Sequence, residues 1–401
     1  MPSYKYSVYK SSNSRGRGGR SGGGGGRSGG NKRRGEYIDP ARFVRKATVQ
    51  DMPVYDAVHT FDDFKVDALL KANIAAKGYT IPSPIQDQTI PLGLAGKDVI
   101  GIASTGTGKT AAFALPILNA LMTQPSSKVL IVAPTRELAQ QIEDECRSIA
   151  RGSGLSGALL IGGTSMGPQL RDLRSNPRIV IGTPGRIKDH MERGTLKLEQ
   201  FNFVVLDEVD RMLDMGFIID VSFILKALAP VRQSFFFSAT MEPKVQNLIQ
   251  TFSNDPQTVS VKTSESSENV NQDVVRYMSP YDKMDKLQDI LIKEDVSKVI
   301  IFDETQRSVE KLSNELIARG FSADAIHGGK TQGQRQRALD SFKASKTKIL
   351  VATDVAARGI DVADISHVIN YTQPQSYQDY VHRIGRAGRA GKIGNALTFV
   401  G

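Results

Sequence analysis

From about residue 98 the chain alternates short, unbroken apolar runs with stretches of helical periodicity. The runs are Asp98–Ile102, Lys128–Ala133, Leu159–Ile161, Ile179–Ile181, Phe203–Leu206 and Ser234–Phe237. Runs of this length, separated by amphipathic stretches, predict a parallel sheet covered by helices. A polar stretch, Lys262–Asn269, interrupts the rhythm before a second series: Val274–Met278, Val299–Phe302, Lys348–Val351, His367–Tyr371 and Ala396–Val400. The pattern predicts an α/β chain of two domains, residues 37–262 and 272–401, joined by a linker at 263–271. The halves share no sequence repeat, which excludes a solenoid.

Length and composition agree with that division. The 401 residues suffice for two or three domains with a sizeable core. No apolar run approaches the roughly 18 residues of a membrane span. One cysteine, Cys146, allows neither an internal disulfide nor a Cys-based zinc site, which fits a reducing compartment, and its surroundings suit a buried helix position.

The net charge of +10 belongs to one end of the chain. Residues 1–50 hold twelve of the 52 Lys/Arg and two of the 42 Asp/Glu, so the remaining 351 residues carry forty of each. Bulk charge therefore says nothing about ligands of the folded part. Residues 1–36 are rich in Gly, Ser and Arg, with the run Arg15-Gly16-Arg17-Gly18-Gly19-Arg20. Such a segment cannot bury enough apolar area to offset its ordering entropy and is expected to be disordered. It reads as a tether for nucleic-acid phosphates and bases, as a solubilising linker, or as a transit peptide whose glycines spoil the helix.

Two motifs point to a nucleotide. Ala103-Ser104-Thr105-Gly106-Thr107-Gly108-Lys109-Thr110 lies between a strand run and a helical stretch, the context of a phosphate loop. Its amides would cradle phosphates, Lys109 would reach the β/γ oxygens and the Thr110 hydroxyl would meet Mg²⁺. Ala103 replaces the first glycine of the general pattern, so a glycine-rich turn is the alternative. The second motif is Asp207-Glu208-Val209-Asp210, directly after Phe203–Leu206, where ligands of open α/β sheets bind. Asp207 would hold Mg²⁺ and Glu208 would orient the attacking water; a solvated turn is the alternative. In the second half, His382-Arg383-Ile384-Gly385-Arg386-Ala387-Gly388-Arg389 places Arg386 and Arg389 three apart, neighbours on one face if helical. They read as arginines supplied across a cleft to a transferring phosphoryl group, or as a basic surface helix.

With these go Pro134-Thr135-Arg136-Glu137-Leu138, Gly162-Gly163, Thr183-Pro184-Gly185-Arg186, Ser238-Ala239-Thr240, Gln332-Gly333-Gln334-Arg335 and Thr353 through Asp361. Upstream stand Phe61 and Gly78-Tyr79-Thr80-Ile81-Pro82-Ser83-Pro84-Ile85-Gln86. In order and approximate spacing the chain from Phe61 to Gly401 resembles the DEAD-box RNA helicases of superfamily 2, in the manner of the bacterial RhlE-like group. The resemblance implies two tandem RecA-like domains and ATP-dependent separation of RNA duplexes, with ATP and Mg²⁺ as cofactors. It implies that Phe61, Tyr79, Gln86, Ser104, Thr105, Gly106, Thr107, Gly108, Lys109, Thr110 and Asp361 bind ATP. Gln86 would pair with N6 and N7 of adenine, a pattern guanine does not offer. Lys109, Asp207, Glu208, Arg386 and Arg389 would be catalytic. Asp210, Ser238, Thr240 and His382 would couple hydrolysis to RNA.

By the same resemblance Thr135, Arg136, Gly163, Thr183, Arg186, Gln332, Arg335 and Thr353 would contact the RNA backbone, independently of sequence. Three departures stand out: Val209 in place of the family's Ala, Ser104 and Thr107 in place of Gln and Ser, and two acids, Asp303 and Glu304, at a strand end expected near RNA. An ATP-gated RNA clamp with little unwinding shares every motif, and a DNA translocase of the superfamily shares many. A cytoplasmic monomer away from membranes is expected, with the nucleus as the setting in a eukaryote.

Overall fold

The computed structural model describes residues 37–48, 55–104, 106–261, 269–357, 360, 362, 364–388 and 392–401. The Arg/Gly-rich tail and three expected site residues, Thr105, Asp361 and Arg389, lie outside the described residues.

The first lobe is built on strands β1 (Val99–Ile102), β2 (Val129–Val132), β3 (Gly157–Leu160), β4 (Ile179–Gly182), β5 (Phe203–Leu206), β6 (Gln233–Ser238) and β7 (Gln257–Ser260). They pair in parallel in the order β3-β4-β2-β5-β6-β1-β7. The second lobe is built on β8 (Val270–Arg276), β9 (Val299–Phe302), β10 (Ala323–Ile326), β11 (Ile349–Ala352), β12 (His367–Asn370) and β13 (Gly394–Val400), in the order β10-β11-β9-β12-β13-β8, again parallel.

Both faces of the central strands are buried, which is why those strands read as unbroken apolar runs. Alternate residues feed two separate cores. Val129, Ile131, Val205, Phe235 and Phe237 face one side of the first sheet, while Leu130, Val132, Val204, Leu206 and Phe236 face the other. In the second lobe Ile300, Leu350 and Val368 face one side, and Val299, Ile301, Val351 and Ile369 the opposite one. Helices cover these faces. Four of them begin on proline (Pro84–Leu94, Pro184–Glu192, Pro243–Phe252 and Pro280–Leu291), where the missing N–H costs no helical bond. Cys146 sits buried in the helix Arg136–Ile149, as expected, and burial pushes its thiol up to about 12. Among the described residues no helix is long and apolar enough to cross a membrane.

Two details of the expected organisation are corrected. The linker placed at 263–271 overlaps β8, which begins at Val270, a fully buried residue of the second core. Residues 37–48, assigned to the first domain, pack instead on the second lobe. Ile38 and Phe43 enter its core beside Val270 and Tyr380, and Arg45 bridges Gln272 of β8 in antiparallel fashion.

Candidate nucleotide and RNA site

The first-lobe motifs gather at the carboxyl ends of its parallel strands, where open α/β sheets bind ligands. The phosphate loop leaves β1, Thr135 follows β2, Gly162 and Gly163 follow β3, Thr183 follows β4, Asp207 follows β5 and Ser238 ends β6.

Gly108 stands at the N-terminus of the helix Lys109–Thr123 with φ +89°, a conformation that glycine adopts without strain. Among the described residues no side chain caps that helix, and its N-terminus and dipole favour an anion. Below the loop, the buried Lys109 Nζ donates to Ala103 O at 3.1 Å and lies 3.8 Å from Asp207 Oδ1. Asp207 is 2% exposed, and its Oδ1 accepts no hydrogen bond from the described residues. Burial pushes its carboxyl up to about 6, opposed by Lys109 and reinforced by Glu208. A desolvated carboxylate oxygen fits a hard cation, and with the Thr110 hydroxyl it could hold one. Among the described residues no group of three or more His, Cys, Asp or Glu is arranged to hold a metal, so phosphate and water would complete the shell.

Glu208 follows with φ 57°, a left-handed conformation unusual for a side chain with a Cβ, and its Oε2 accepts from Arg211 Nη1 at 2.9 Å. Asp210 Oδ2 accepts from the backbone N–H of Ala239 and of Thr240 at 3.0 Å each, and from the Thr240 hydroxyl at 3.2 Å. Ser238 Oγ donates to Thr240 O at 2.7 Å. One carboxylate thus ties the β5 turn to the end of β6. Val209 is fully buried in the apolar core, so its extra methyls are packed among apolar side chains.

Gln86 is buried under the loop rather than in the cavity wall. Its Oε1 accepts from Ser83 N–H at 2.9 Å and its Nε2 donates to Gly108 O at 3.1 Å, while Ser83 Oγ donates to Thr107 O at 2.8 Å. Phe61 is likewise set back, its ring meeting Tyr79 edge-on at 5.8 Å. Tyr79 does line the cavity; its hydroxyl donates to Glu145 at 3.1 Å, and burial with the nearby Glu145 charge raises it to about 12.

The cavity, about 470 Å³, is walled by both lobes. Gly106, Gly108, Lys109, Thr110, Asp207 and Glu208 come from the first, Arg386 and Lys343 from the second. Arg386 is 3% exposed and donates from Nη1 to Ile360 O at 2.7 Å. It does not sit on a helix face as the spacing predicted. The helix Tyr377–Ile384 ends at Gly385, and Gly388 with φ 67° turns the chain again, so Arg386 lies in the turn between them. His382 stays on that helix, beside a small recess shared with Asp354 and Arg383. Lys343, in the last turn of the helix Gln332–Lys343, belongs to no motif, and sequence reasoning missed it.

The residues expected on RNA form a second group. Thr135 Oγ1 caps its helix by accepting from Leu138 N–H at 3.2 Å. The Arg136 guanidinium lies against Gly163, where an added Cβ would fall 2.0 Å from its Nη1. Arg186 Nη1 donates to Thr164 O at 3.3 Å, and Thr183 precedes Pro184 at a helix start. Across the lobes, Arg335 Nη2 pairs with Glu137 Oε1 at 2.8 Å, and Gln332 Nε2 donates to the same oxygen at 3.4 Å. Arg335, expected on an RNA phosphate, is here buried against a carboxylate, because a desolvated guanidinium requires a counter-charge. Thr353 follows β11, its carbonyl accepting from Ala356 and Ala357. Asp303 turns inward to accept from the Thr372 hydroxyl and caps Glu304 N–H at 2.8 Å, whereas Glu304 is exposed.

Comparison with known proteins agrees with this arrangement. The DEAD/DEAH box helicase family matches residues 83–249, and the helicase conserved C-terminal domain matches 282–391. The ATP-dependent RNA helicase CshA of Limosilactobacillus reuteri is 46% identical over 336 residues, covering 83% of this chain and 67% of that protein. The DEAD-box ATP-dependent RNA helicase CshA of Bacillus subtilis is 43% identical over 342 residues, covering 85% and 69%. The chain thus spans about two thirds of the length of these relatives, and their name lends no support to the RhlE-like grouping. Among solved structures, S. cerevisiae Dbp5 bound to RNA and ADP BeF3 matches with a TM-score of 0.75 at 29% identity, covering 85% of this chain and 89% of that one. Mss116p bound to ssRNA and AMP-PNP matches at 0.76 and 30%, covering 87% and 76%. Two parallel-sheet lobes, a phosphate loop facing an acidic strand end and an arginine from the opposite lobe accord with these matches: the chain belongs to the DEAD-box ATP-dependent RNA helicases.

Proposed function

We propose that the chain hydrolyses ATP in the cavity between its lobes and uses the closed arrangement to hold one RNA strand by its backbone. The observation that carries this reading is the unsatisfied Asp207 oxygen beside Lys109, in a cavity whose opposite wall supplies Arg386. The loop amides and Lys109 bind the β- and γ-phosphates. Thr110 and Asp207 would hold Mg²⁺, which screens phosphate charge when bound. Glu208 orients the attacking water, and Arg386 stabilises charge on the transferring phosphoryl group; Arg389 is assigned the same role by its place in the motif. Gln86 braces the loop through Ser83 and Gly108, and by its place in the motif it is assigned to adenine, whose N6 and N7 match an amide's acceptor and donor.

Asp210 transmits loss of the γ-phosphate to Ser238 and Thr240 through its bonds to that loop. Thr135, Arg136, Gly163, Thr183, Arg186, Gln332 and Thr353 face the RNA backbone, and Arg335 fixes the lobes through Glu137. Closure bends the strand out of continuous A-form and separates a duplex locally. The single cysteine suits a reducing compartment such as the bacterial cytoplasm. Glu208→Gln is expected to retain ATP and RNA while hydrolysis falls by roughly 10²-fold or more, the scale for a group acting on the reacting water. Turnover equal to the parent in a coupled phosphate-release assay refutes the assignment, and strand release from a labelled duplex separates a helicase from a clamp.

A further inference from the structure

The segment before the first lobe is bound to the second. Phe43 is fully buried against Tyr380, ring centroids 4.6 Å apart, and the Arg42 guanidinium lies 3.9 Å above the Tyr377 ring. Arg45 N–H donates to Gln272 O at 2.9 Å, Gln272 N–H donates back at 2.7 Å, and Ala47 N–H donates to Asn271 Oδ1 at 2.9 Å. These bonds cover the outer edge of β8, the last strand of its sheet, which would otherwise present unpaired backbone groups. Asp39 caps the short turn Pro40–Phe43 by accepting from Ala41 N–H at 2.9 Å.

A few residues later the chain is held by the first lobe. The buried Asp87 carboxylate accepts from the Tyr55 hydroxyl at 2.6 Å, Val58 N–H at 2.8 Å and His59 N–H at 3.1 Å, with His59 Nδ1 at 2.6 Å. Phe61 and Phe64 then enter the first core. Seven peptide steps separate Thr48 from Tyr55, a contour of at most about 25 Å. The eight steps from Val261 to Asn269 allow about 29 Å. The lobes are therefore joined at two places: covalently through residues 262–268, and through residues 37–48, which are continuous with the first lobe and docked without a covalent bond on the second.

The strap grips a particular element. Tyr377 and Tyr380 belong to the helix Tyr377–Ile384 that leads directly into Arg386 in the cavity wall. We propose that residues 37–48 are a strap that fastens this arginine-bearing helix to the first lobe, limiting how far the lobes part, so favouring the closed arrangement and raising the apparent affinity for RNA. The proposal rests on the reading that both lobes share the nucleotide. A short second tether acts as an effective concentration: it confines the open ensemble without adding a contact to either ligand. It is expected to change the RNA concentration needed for closure, and to leave turnover at saturating RNA unaltered.

The test keeps the full chain and every strap contact. Residues 49–54 are replaced by a recognition site of similar length for a sequence-specific protease, and the protein is compared before and after cutting. The readouts are RNA-stimulated ATP hydrolysis and energy transfer between dyes on engineered cysteines, one per lobe. Cutting is expected to raise the half-saturating RNA concentration severalfold, leave maximal hydrolysis within twofold, and lower the closed fraction at a fixed ATP analogue and RNA. The salt dependence of RNA binding stays unchanged, which separates the effect from loss of the basic tail. Phe43→Ala, with a retained circular-dichroism spectrum, is expected to shift both readouts the same way. Identical RNA dependence and identical transfer before and after cutting overturn the strap. Absence of RNA-stimulated hydrolysis in the uncut protein overturns the functional reading instead.

Discussion

At Gly108 a single missing Cβ decides whether the phosphate loop can exist. Its φ of +89° strains any other residue, and a Cβ there would stand 2.4 Å from Gln86 Nε2, the group that supports the loop from below. Gly108→Ala therefore strains the loop and displaces its brace together. ATP affinity is expected to fall about tenfold or more, equivalent to roughly 1.4 kcal/mol; equilibrium binding of a fluorescent ATP analogue, alongside an unchanged unfolding curve, checks it. Lys343 is the reverse case, a residue whose importance comes only from where the fold brings it. It faces the phosphate loop from the opposite wall, and an exposed cation meeting one phosphate oxygen is worth about 1 kcal/mol. Lys343→Ala is expected to raise KM for ATP about fivefold with kcat within twofold. An unaltered KM in steady-state hydrolysis removes Lys343 from the nucleotide site, and Lys343→Arg should restore most of the loss.

Elements carry the contact between lobes. The helix Arg136–Ile149 begins at the end of β2 and presents Glu137; the helix Gln332–Lys343 follows β10 and presents Gln332 and Arg335 to it. Truncating one partner of a buried pair strands the other charge, a loss of about 2–5 kcal/mol that is largely recovered when both are removed. Glu137→Ala and Arg335→Ala are each expected to lower RNA-stimulated kcat/KM by at least roughly thirtyfold. The double variant should lose much less than the product, and additive losses in that cycle would show the pair to be incidental. The same scale explains what was legible in the sequence. β5 and β9 lie inside their sheets and matched their apolar runs residue for residue. Inside the sheets the run for β13 starts two residues late, at Ala396; the other differences of that size lie at the borders, where no run covers β7 (Gln-Thr-Val-Ser) or β10 (Ala-Asp-Ala-Ile) and the runs for β3 and β8 start two and four residues late. All four are edge strands, half covered, so polar residues interrupt their pattern. The nucleotide motifs were readable because phosphate chemistry demands fixed residue types at fixed spacing. Residues 37–48, Lys343 and the Arg335–Glu137 pair were not, since lobe-to-lobe juxtaposition leaves no local periodicity.

For the whole molecule, charge and closure are separable. Residues 36–401 carry 43 Lys/Arg against 42 Asp/Glu, whereas residues 1–35 carry nine Lys/Arg and no acid, so long-range attraction to RNA is expected mainly from the tail. Closure, by contrast, rests on the shared cavity and the contacts between lobes. If ATP tightens RNA binding by some factor, RNA must tighten ATP binding by the same factor, because both report one equilibrium between lobe arrangements. A tail that attracts RNA equally in either arrangement cannot enter that factor. Deleting residues 1–35 is accordingly expected to weaken RNA binding with and without a nonhydrolysable ATP analogue by the same ratio. It should flatten the slope of log K against log salt by about 0.7 for each lost phosphate contact, and leave basal hydrolysis intact. Binding isotherms with single-stranded RNA at several salt concentrations, for both chains and both nucleotide states, decide the matter. An unchanged slope makes the tail a linker, while a changed coupling factor shows that it senses closure and must touch the lobes differently in the two arrangements.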